Sequence, residues 1–146
     1  MDCGGPCQDC ALKNIEPISL FGQLQILVVD FQTLSILFQL KNPNQTYGAE
    51  QFSYEVVFYD NFGEQGGSLT KESFIYAGQI KTIIEPAIKI NPQIVSRSQV
   101  TIRNPMWRAV KELFQPSIQS RAIKMEVIGN QGKITGLVLN NGGTAL

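Results

Sequence analysis

Two stretches of alternating apolar and polar residues, joined by an Asn-Pro-Asn loop, most constrain the fold of this chain. The first stretch has its apolar residues at Leu34, Ile36, Phe38 and Leu40, and the second at Phe52, Tyr54, Val56 and Phe58. A period of two is expected of a half-buried β-strand. Proline cannot donate to a strand ladder and asparagine favours turns, so 42–44 is predicted to end the first strand. The Asp-Asn-Phe-Gly sequence at 60–63 predicts a turn after the second.

The rest of the chain also predicts short strands separated by turns. These strands are expected at 24–29, 73–76, 81–84, 99–103, 123–127 and 134–139. Glu85-Pro86 is predicted to end the one at 81–84, with a continuation at 87–90 beyond a kink or bulge. Gly66-Gly67 predicts a break, and Asn104-Pro105 predicts the end of the strand before it.

A helix is predicted at no more than one place. Trp107, Val110, Leu113 and Phe114 have the spacing of one helix face. The segment 105–114 is therefore expected to be a short helix or an irregular extended stretch. Strands separated by turn signals, with at most this one helix, indicate an all-β sandwich.

The composition limits the functions open to such a domain. The 146 residues are 43% apolar, which suits one domain with a substantial core. Lys plus Arg and Asp plus Glu number 12 each and are scattered, so no nucleic-acid partner is expected. The chain has no histidine, which removes the commonest general base and metal ligand. No nucleophile motif is present, so no catalytic residue and no cofactor are predicted.

No apolar run approaches the ~20 residues of a membrane helix, and direct membrane insertion is not expected. No signal peptide follows Met1, because residues 2–10 are polar and glycine-rich. Either the chain is cytosolic, or it is an excerpt of a longer protein.

The three cysteines, Cys3, Cys7 and Cys10, all lie in the sequence DCGGPCQDC. Their spacing also occurs in radical S-adenosylmethionine enzymes, but nothing downstream alternates strands with long helices as their βα barrel does. A zinc site would need a fourth ligand from Asp2, Asp9 or another chain. The sequence resembles the second half of a module of secreted bacterial proteins, CxDGxxNxxExxxDCGGxCxxC. That resemblance implies an upstream cysteine, disulfides of open connectivity and an oxidising compartment. Three reduced thiols are the alternative.

The segment 38–65 resembles the FxLYD family of bacterial surface-protein modules, which have an immunoglobulin-like sandwich. KNPN at 41–44 matches the Asn-rich strand end of that family, and FYDNFG at 58–63 matches its Tyr-Asp turn, with Phe58 where the family has leucine. A looser similarity exists to the water-stress domain of late-embryogenesis-abundant proteins, and 73–88 resembles envelope proteins of small-genome bacteria. The resemblance implies an immunoglobulin-like antiparallel β-sandwich.

GKITGLVLNN, near the end of the sequence, is similar to the strand that precedes the first Asn-Pro-Asn loop. Residues 131–146 are therefore the first strand of a truncated second repeat or the final strand of the sandwich. The predicted organisation is a truncated cysteine-rich motif and connector at 1–14, a sandwich at 15–130, and this last segment.

Two groups of side chains are candidate sites. Asp60 and Glu64 flank one turn, where Asp60 is expected to form the turn and a calcium site is the weaker alternative. Trp107 with Arg103 and Arg108 is a candidate interaction patch, against the alternative that the tryptophan caps the core and the arginines are solvated.

These features predict a non-catalytic structural or interaction module, a spacer or adhesion unit, of a secreted or surface-anchored bacterial protein. Its expected location is extracellular or in the cell envelope. A protein or carbohydrate of unknown identity and adjacent repeat domains of the same chain are the expected partners. The alternative is a soluble stress-protective domain of the water-stress type, without a defined ligand.

Overall fold

The computed structural model describes residues 14–113, 115–129 and 131–142, and the chain divides after Leu113 into two compact units. The first unit contains strands β1 (Ser19–Asp30), β2 (Thr33–Lys41), β3 (Tyr47–Tyr59), β4 (Gln65–Ile75), β5 (Ile80–Ile88) and β6 (Arg97–Ala109). A short 3-10 helix, Pro92–Ile94, lies between β5 and β6. The second unit contains β7 (Ile118–Ile128) and β8 (Gln131–Asn140).

The first unit is an all-β sandwich of two antiparallel sheets, as the sequence predicted. One sheet has the strand order β1-β2-β5 and the other has the order β4-β3-β6. The first order matches strands A, B and E of an immunoglobulin sandwich, and the second matches strands C′, C and F of its variable type. Within the described part of the first unit, no strand pairs with the free side of β6, where an immunoglobulin sandwich has strand G.

The core lies between the two central strands, β2 and β3. Its two main rows are Leu34, Ile36, Phe38 and Leu40 from β2, and Phe52, Tyr54, Val56 and Phe58 from β3. All of these side chains are 0–2% exposed, so the alternation correctly predicted which positions face inward. The rings of Phe38 and Tyr54 meet edge to face across the sandwich, with their centroids 5.6 Å apart.

Strand β4 continues through Gly66-Gly67, where the sequence predicted a break. A Cβ atom on Gly67 would lie only 2.7 Å from Cδ1 of Ile90. Glycine is therefore used here to let another side chain approach the strand closely. The strand end predicted at Glu85-Pro86 was wrong, because β5 runs on to Ile88; the kink or bulge predicted there is present, with Ala87 at a φ of 55°.

The prediction that Asn104-Pro105 ends a strand was wrong. Strand β6 continues to Ala109, and Asn104 takes a φ of 51° at a shift in its register with β3. Proline is tolerated at this point because β6 is an edge strand and carries a bulge. The described residues of 105–114 contain no helix: 105–109 are strand, and 110–113 form a turn in which the Leu113 N–H donates to the Ala109 carbonyl.

Asn42 of the Asn-Pro-Asn loop is buried, and its hydrogen bonds join three segments of the sandwich. We call this arrangement the Asn42 clamp. Asn42 is 0% exposed, and its Nδ2 donates to the carbonyls of Tyr47 (2.8 Å) and Tyr76 (3.0 Å). Its Oδ1 accepts from the backbone N–H of Asn44 at 3.0 Å, and its own N–H donates to the Gln79 carbonyl at 3.0 Å. Two carbonyl partners require a donor, which fixes the orientation of the amide. One side chain thus joins the end of β2 to β3 and to the β4–β5 turn.

Asn44 extends this clamp to the segment before β1. Its Oδ1 accepts from the backbone N–H of Glu16 at 2.9 Å, and its Nδ2 donates to the Glu16 carbonyl at 2.8 Å. The segment that leaves the sandwich after β6 is held nearby, because the N–H of Val110 donates to the carbonyl of Thr46 at 3.0 Å. The chain therefore enters and leaves the sandwich at the same end.

A hydrogen bond also joins the two sheets inside the sandwich. The Tyr54 hydroxyl of β3 donates to the carboxylate of Glu85 on β5. Burial raises the pKa of the Tyr54 phenol, and the hydrogen bond to Glu85 and the charge of that carboxylate raise it further. The folded state therefore favours the neutral phenol.

We expect Tyr54 to make the sandwich less stable at alkaline pH. Since its folded pKa lies above its ordinary value of 10.0, its contribution is fully present below pH 10 and is lost as the pH rises further. The free energy of unfolding should fall by up to about 1.4 kcal/mol per pH unit relative to the Tyr54→Phe variant. Urea unfolding of both proteins between pH 8 and 11.5 measures this difference. A difference that stays constant over this range would contradict the assignment.

The second unit is a single antiparallel hairpin. Strands β7 and β8 pair with each other from Ile118↔Asn140 to Ile128↔Gln131 and form a sheet of their own. The sequence analysis assigned residues up to 130 to the sandwich and left 131–146 open between two alternatives. In the structure β7 pairs with β8, the next strand in the sequence. Residues 143–146 lie outside the described part of the chain.

Candidate functional site

Three connections lie together at the end of the sandwich that is opposite to the chain entry and exit. They are the β1–β2 turn at 30–33, the β3–β4 turn at 60–64 and the β5–β6 connection at 89–96. We call this surface the loop end. The strand registers place it there, because β1, β3 and β5 all run away from the Asn42 clamp.

Aspartate side chains shape two of the three connections. Asp30 Oδ1 accepts from the backbone N–H of Gln32 at 2.8 Å. Asp60 Oδ1 accepts from the N–H groups of Phe62 (2.8 Å) and Glu64 (2.9 Å). Each aspartate thus closes its own turn, as short polar side chains commonly do.

The charge at Asp30 is stabilised by the same geometry. The Gln32 N–H is the main cause that lowers the pKa of the Asp30 carboxyl, and the Thr33 hydroxyl and the charge of Lys89 lower it further. The Lys89 ammonium donates to the Thr33 hydroxyl at 3.0 Å. The loop end therefore carries a fixed anion and a cation beside each other.

The third connection is tied to the second. The backbone N–H of Ser96 donates to the Tyr59 carbonyl at 2.8 Å, and its hydroxyl donates to the Asp60 carbonyl at 2.5 Å. The 3-10 helix begins with Asn91, whose side chain accepts from the N–H of Gln93 at 2.9 Å, followed by proline at its first position. These bonds give the loop end a defined backbone shape.

The loop end exposes large apolar side chains. Phe31, directly after Asp30, is 70% exposed, and Phe62, two residues after Asp60, is 91% exposed. An open and mostly apolar groove of about 510 Å³ is lined by Val28, Asp30, Phe31, Pro92 and Gln93. Exposed apolar groups around a groove with a few polar atoms are typical of binding surfaces.

Sequence reasoning did not identify this surface. Phe31 and Phe62 occupy turn tips, where the period of two that marks inward residues no longer applies. The sequence offered one signal of this surface. Each turn has an aromatic residue among polar ones, and an aromatic side chain at a turn tip has no role in the core. The pairing of the two turns with the β5–β6 connection depends on strand order, which one sequence does not reveal.

Asp60 and Glu64, the predicted turn or metal pair, lie together at the loop end. The N–H of Asp60 donates to the Glu64 carbonyl at 2.9 Å, so the two residues close the turn in both directions. One oxygen of the Asp60 carboxylate is occupied by two backbone donors. Within the described residues there is no group of three or more acidic, cysteine or histidine side chains that could hold a metal.

The predicted patch of Trp107, Arg103 and Arg108 is divided between two faces of β6. Trp107 is half-buried and packs against the core. Arg103 forms an ion pair with Glu55 at 2.8 Å, and Arg108 forms one with Glu50 at 3.0 Å, both on the outer face. The bulge at Asn104 causes this division, because it shifts the alternation of side chains between positions 103 and 107.

The cysteine candidates, Cys3, Cys7 and Cys10, lie outside the described residues. No helix in the described ranges has the length and apolar character needed to cross a membrane.

The fold and the loop end define an all-β sandwich domain that presents three connected loops on one side. No family model, curated protein or solved structure matches this chain. The resemblance to the FxLYD family therefore remains a prediction from the residues at 38–65.

Proposed function

We propose that this protein is a non-catalytic interaction module of a secreted or surface-anchored bacterial protein, and that its loop end binds an apolar segment of a partner protein. The observation that carries the proposal is the exposure of Phe31 and Phe62 at the end of the sandwich that is free of the chain entry and exit. Buried aromatic anchors supply most of the affinity in many interfaces.

The chemistry of the groove favours a peptide partner. Val28, Phe31 and Pro92 present aliphatic and aromatic surface, while Asp30 and Gln93 offer polar groups at its margin. An extended apolar segment with a basic residue would fill the groove and face the Asp30 carboxylate. The hydrogen bonds that close these turns are already made in the free protein, which reduces the entropy lost on binding.

Selection from a displayed library of random peptides on the immobilised chain tests this function. Enriched peptides should bind the natural protein and lose at least about tenfold in affinity when Phe31 and Phe62 are both replaced by serine. Phe21→Ser is the matched control, because Phe21 is 44% exposed but lies on β1 away from the loop end. Peptides that bind all three proteins equally, or no enrichment over an uncoated surface, would contradict the proposal.

The proposed location depends on the cysteine motif and has its own test. In an oxidising compartment two of Cys3, Cys7 and Cys10 should pair. Intact mass with and without reductant reveals such a bridge. Three free thiols after aerobic purification would favour the intracellular, stress-protective alternative.

A further inference from the structure

The hairpin β7–β8 repeats three geometric details of the hairpin β1–β2. The first is a kink in the leading strand. Gly22 has a φ of 80° and Ala122 has a φ of 51°, and each begins a shift in register with the partner strand. Positive φ is uncommon for a non-glycine residue such as Ala122, so its occurrence at the place that glycine occupies in β1 is informative. The shift adds two residues to β1 and one residue to β7.

The second repeated detail is the asparagine at the end of the second strand. Asn42 Oδ1 accepts from the backbone N–H two residues later at 3.0 Å, and Asn140 Oδ1 accepts from the N–H of Gly142 at the same distance. The asparagine follows paired residues of the two strands in both hairpins, since Ser19 pairs with Lys41 and Gln119 pairs with Leu139. Asn140 therefore occupies the place of Asn42.

The third repeated detail is the apolar face. With Asn140 aligned to Asn42, Val138 takes the place of Leu40 and Ile134 takes the place of Ile36. The other two inward positions, those of Leu34 and Phe38, are taken by Gly132 and Gly136. On β7 the same face carries Met125, which pairs with Ile134, and Val127. The opposite face has more polar residues than apolar ones: it carries Gln119, Arg121, Lys124, Glu126, Gln131, Lys133 and Thr135 together with Ile128, Leu137 and Leu139.

The two equivalent faces differ greatly in exposure. Leu40 and Ile36 are 0% exposed, because the row on β3 covers them. Val138 and Ile134 are 68% and 70% exposed. An isolated hairpin is at best marginally stable in water, so an apolar face of this kind requires a covering layer.

We propose that Ile118–Asn140 is the β1–β2 half of a second sandwich, and that its apolar face binds a sheet of the β4-β3-β6 kind from a neighbouring module of the same polypeptide. The first unit identifies this occupant, since there the equivalent face is covered by the row Phe52, Tyr54, Val56 and Phe58. In that unit β3 begins at Tyr47, directly after the Asn42 loop, so the covering sheet follows the hairpin in sequence. The inference concerns assembly and is independent of the loop end.

Size complementarity favours this occupant over a second hairpin. Gly136 takes the place of Phe38, and Ile123 packs over it, with its Cγ1 atom 3.5 Å from the position of a Cβ on Gly136. Apart from Ser120 and Asn140, the side chains of this face are aliphatic or methionine, and none is aromatic. Facing rows pack well when large residues oppose small ones. An aromatic row meets that need, whereas two copies of this face would leave the space between sheets underfilled.

An extended chain tests the proposal. A copy of residues 43–109 is joined directly after Asn140, so that proline follows this asparagine as it follows Asn42. Hydrogen exchange of the backbone amides then reports on β7 and β8, and the first unit serves as the folded internal standard. We expect exchange in β7 and β8 to slow at least 100-fold relative to the 146-residue chain.

Two variants of the extended chain show which face is covered. Val138→Lys should abolish the added protection. Leu139→Lys should retain it, because Leu139 lies on the opposite face, in the place of Lys41. Unchanged exchange in the extended chain, or equal protection in both variants, would overturn the proposal. Sedimentation showing that the 146-residue chain dimerises, with the dimer lost in Val138→Lys, would overturn it in favour of a second copy.

Discussion

Replacement of Asn42 by aspartate should lower the free energy of unfolding of the sandwich by about 3 kcal/mol or more at neutral pH. The new oxygen would face the carbonyls of Tyr47 and Tyr76, which now accept from Nδ2 at 2.8 and 3.0 Å. Two donors would be lost, and a carboxylate would be placed where the side chain is 0% exposed. Because the change is isosteric, no cavity contributes to the loss. Chemical denaturation followed by circular dichroism measures it.

The matched control for this prediction is Asn61→Ala. Asn61 is exposed in the β3–β4 turn, and we expect a change within about 0.5 kcal/mol. The effect of aspartate at position 42 should also weaken in acid, where a protonated carboxyl regains one donor. A loss below about 1 kcal/mol at neutral pH would show that the clamp does not hold the three strand ends together.

Replacement of Phe38 by alanine should destabilise the sandwich by about 3–5 kcal/mol. Phe38 is 0% exposed at the centre of β2, and its ring meets Tyr54 of the other sheet edge to face. The substitution removes that contact and leaves a cavity between two sheets that relax only in part. The midpoint of urea unfolding should fall with little change in its slope.

Phe62→Ala gives the same chemical change at the surface. Phe62 is 91% exposed, so its removal should alter the free energy of unfolding by no more than about 0.5 kcal/mol. The pair of variants separates stability from binding, since Phe62 is placed in the proposed binding surface and Phe38 is not. Similar losses for both variants would be inconsistent with the described core.

The sequence correctly predicted the parts of the fold that depend on local alternation. The apolar rows of β2 and β3 were identified by a period of two, and the turns after Lys41 and Tyr59 by Asn-Pro-Asn and Asp-x-x-Gly chemistry. Both signals are short-range, so one sequence is sufficient to read them.

The predictions that failed depended on tertiary context. Gly66-Gly67 and Asn104-Pro105 have the composition of breaks, but one glycine accommodates Ile90 and the proline lies in a bulged edge strand. The same bulge puts Trp107 and Arg103 on different faces of β6, which agrees with the alternative in which the tryptophan packs on the core and not with a joint patch. Whether a strand is central or at an edge is decided by strand order, and strand order is not encoded in periodicity.

The clamp and the loop end were missed for a related reason. Asn42 was predicted to form a turn, but its role depends on carbonyls of Tyr47 and Tyr76, the second of which is distant in sequence. The proposed binding role of Phe31 and Phe62 depends on three separate connections lying at the same end of the sandwich. A contact between distant segments does not change the periodicity of apolar residues in either segment, so that periodicity does not predict the contact.

The shared position of chain entry and exit has a mechanical consequence. Tension applied along the polypeptide would act on Glu16 and Val110, which are both held beside the Asn42 loop. Force would therefore peel β1 from β2 and β6 from β3, breaking hydrogen bonds one after another instead of shearing a whole ladder at once. A module loaded in this way unfolds at low force. Its loop end lies at the opposite end of the sandwich from the two points where the force acts.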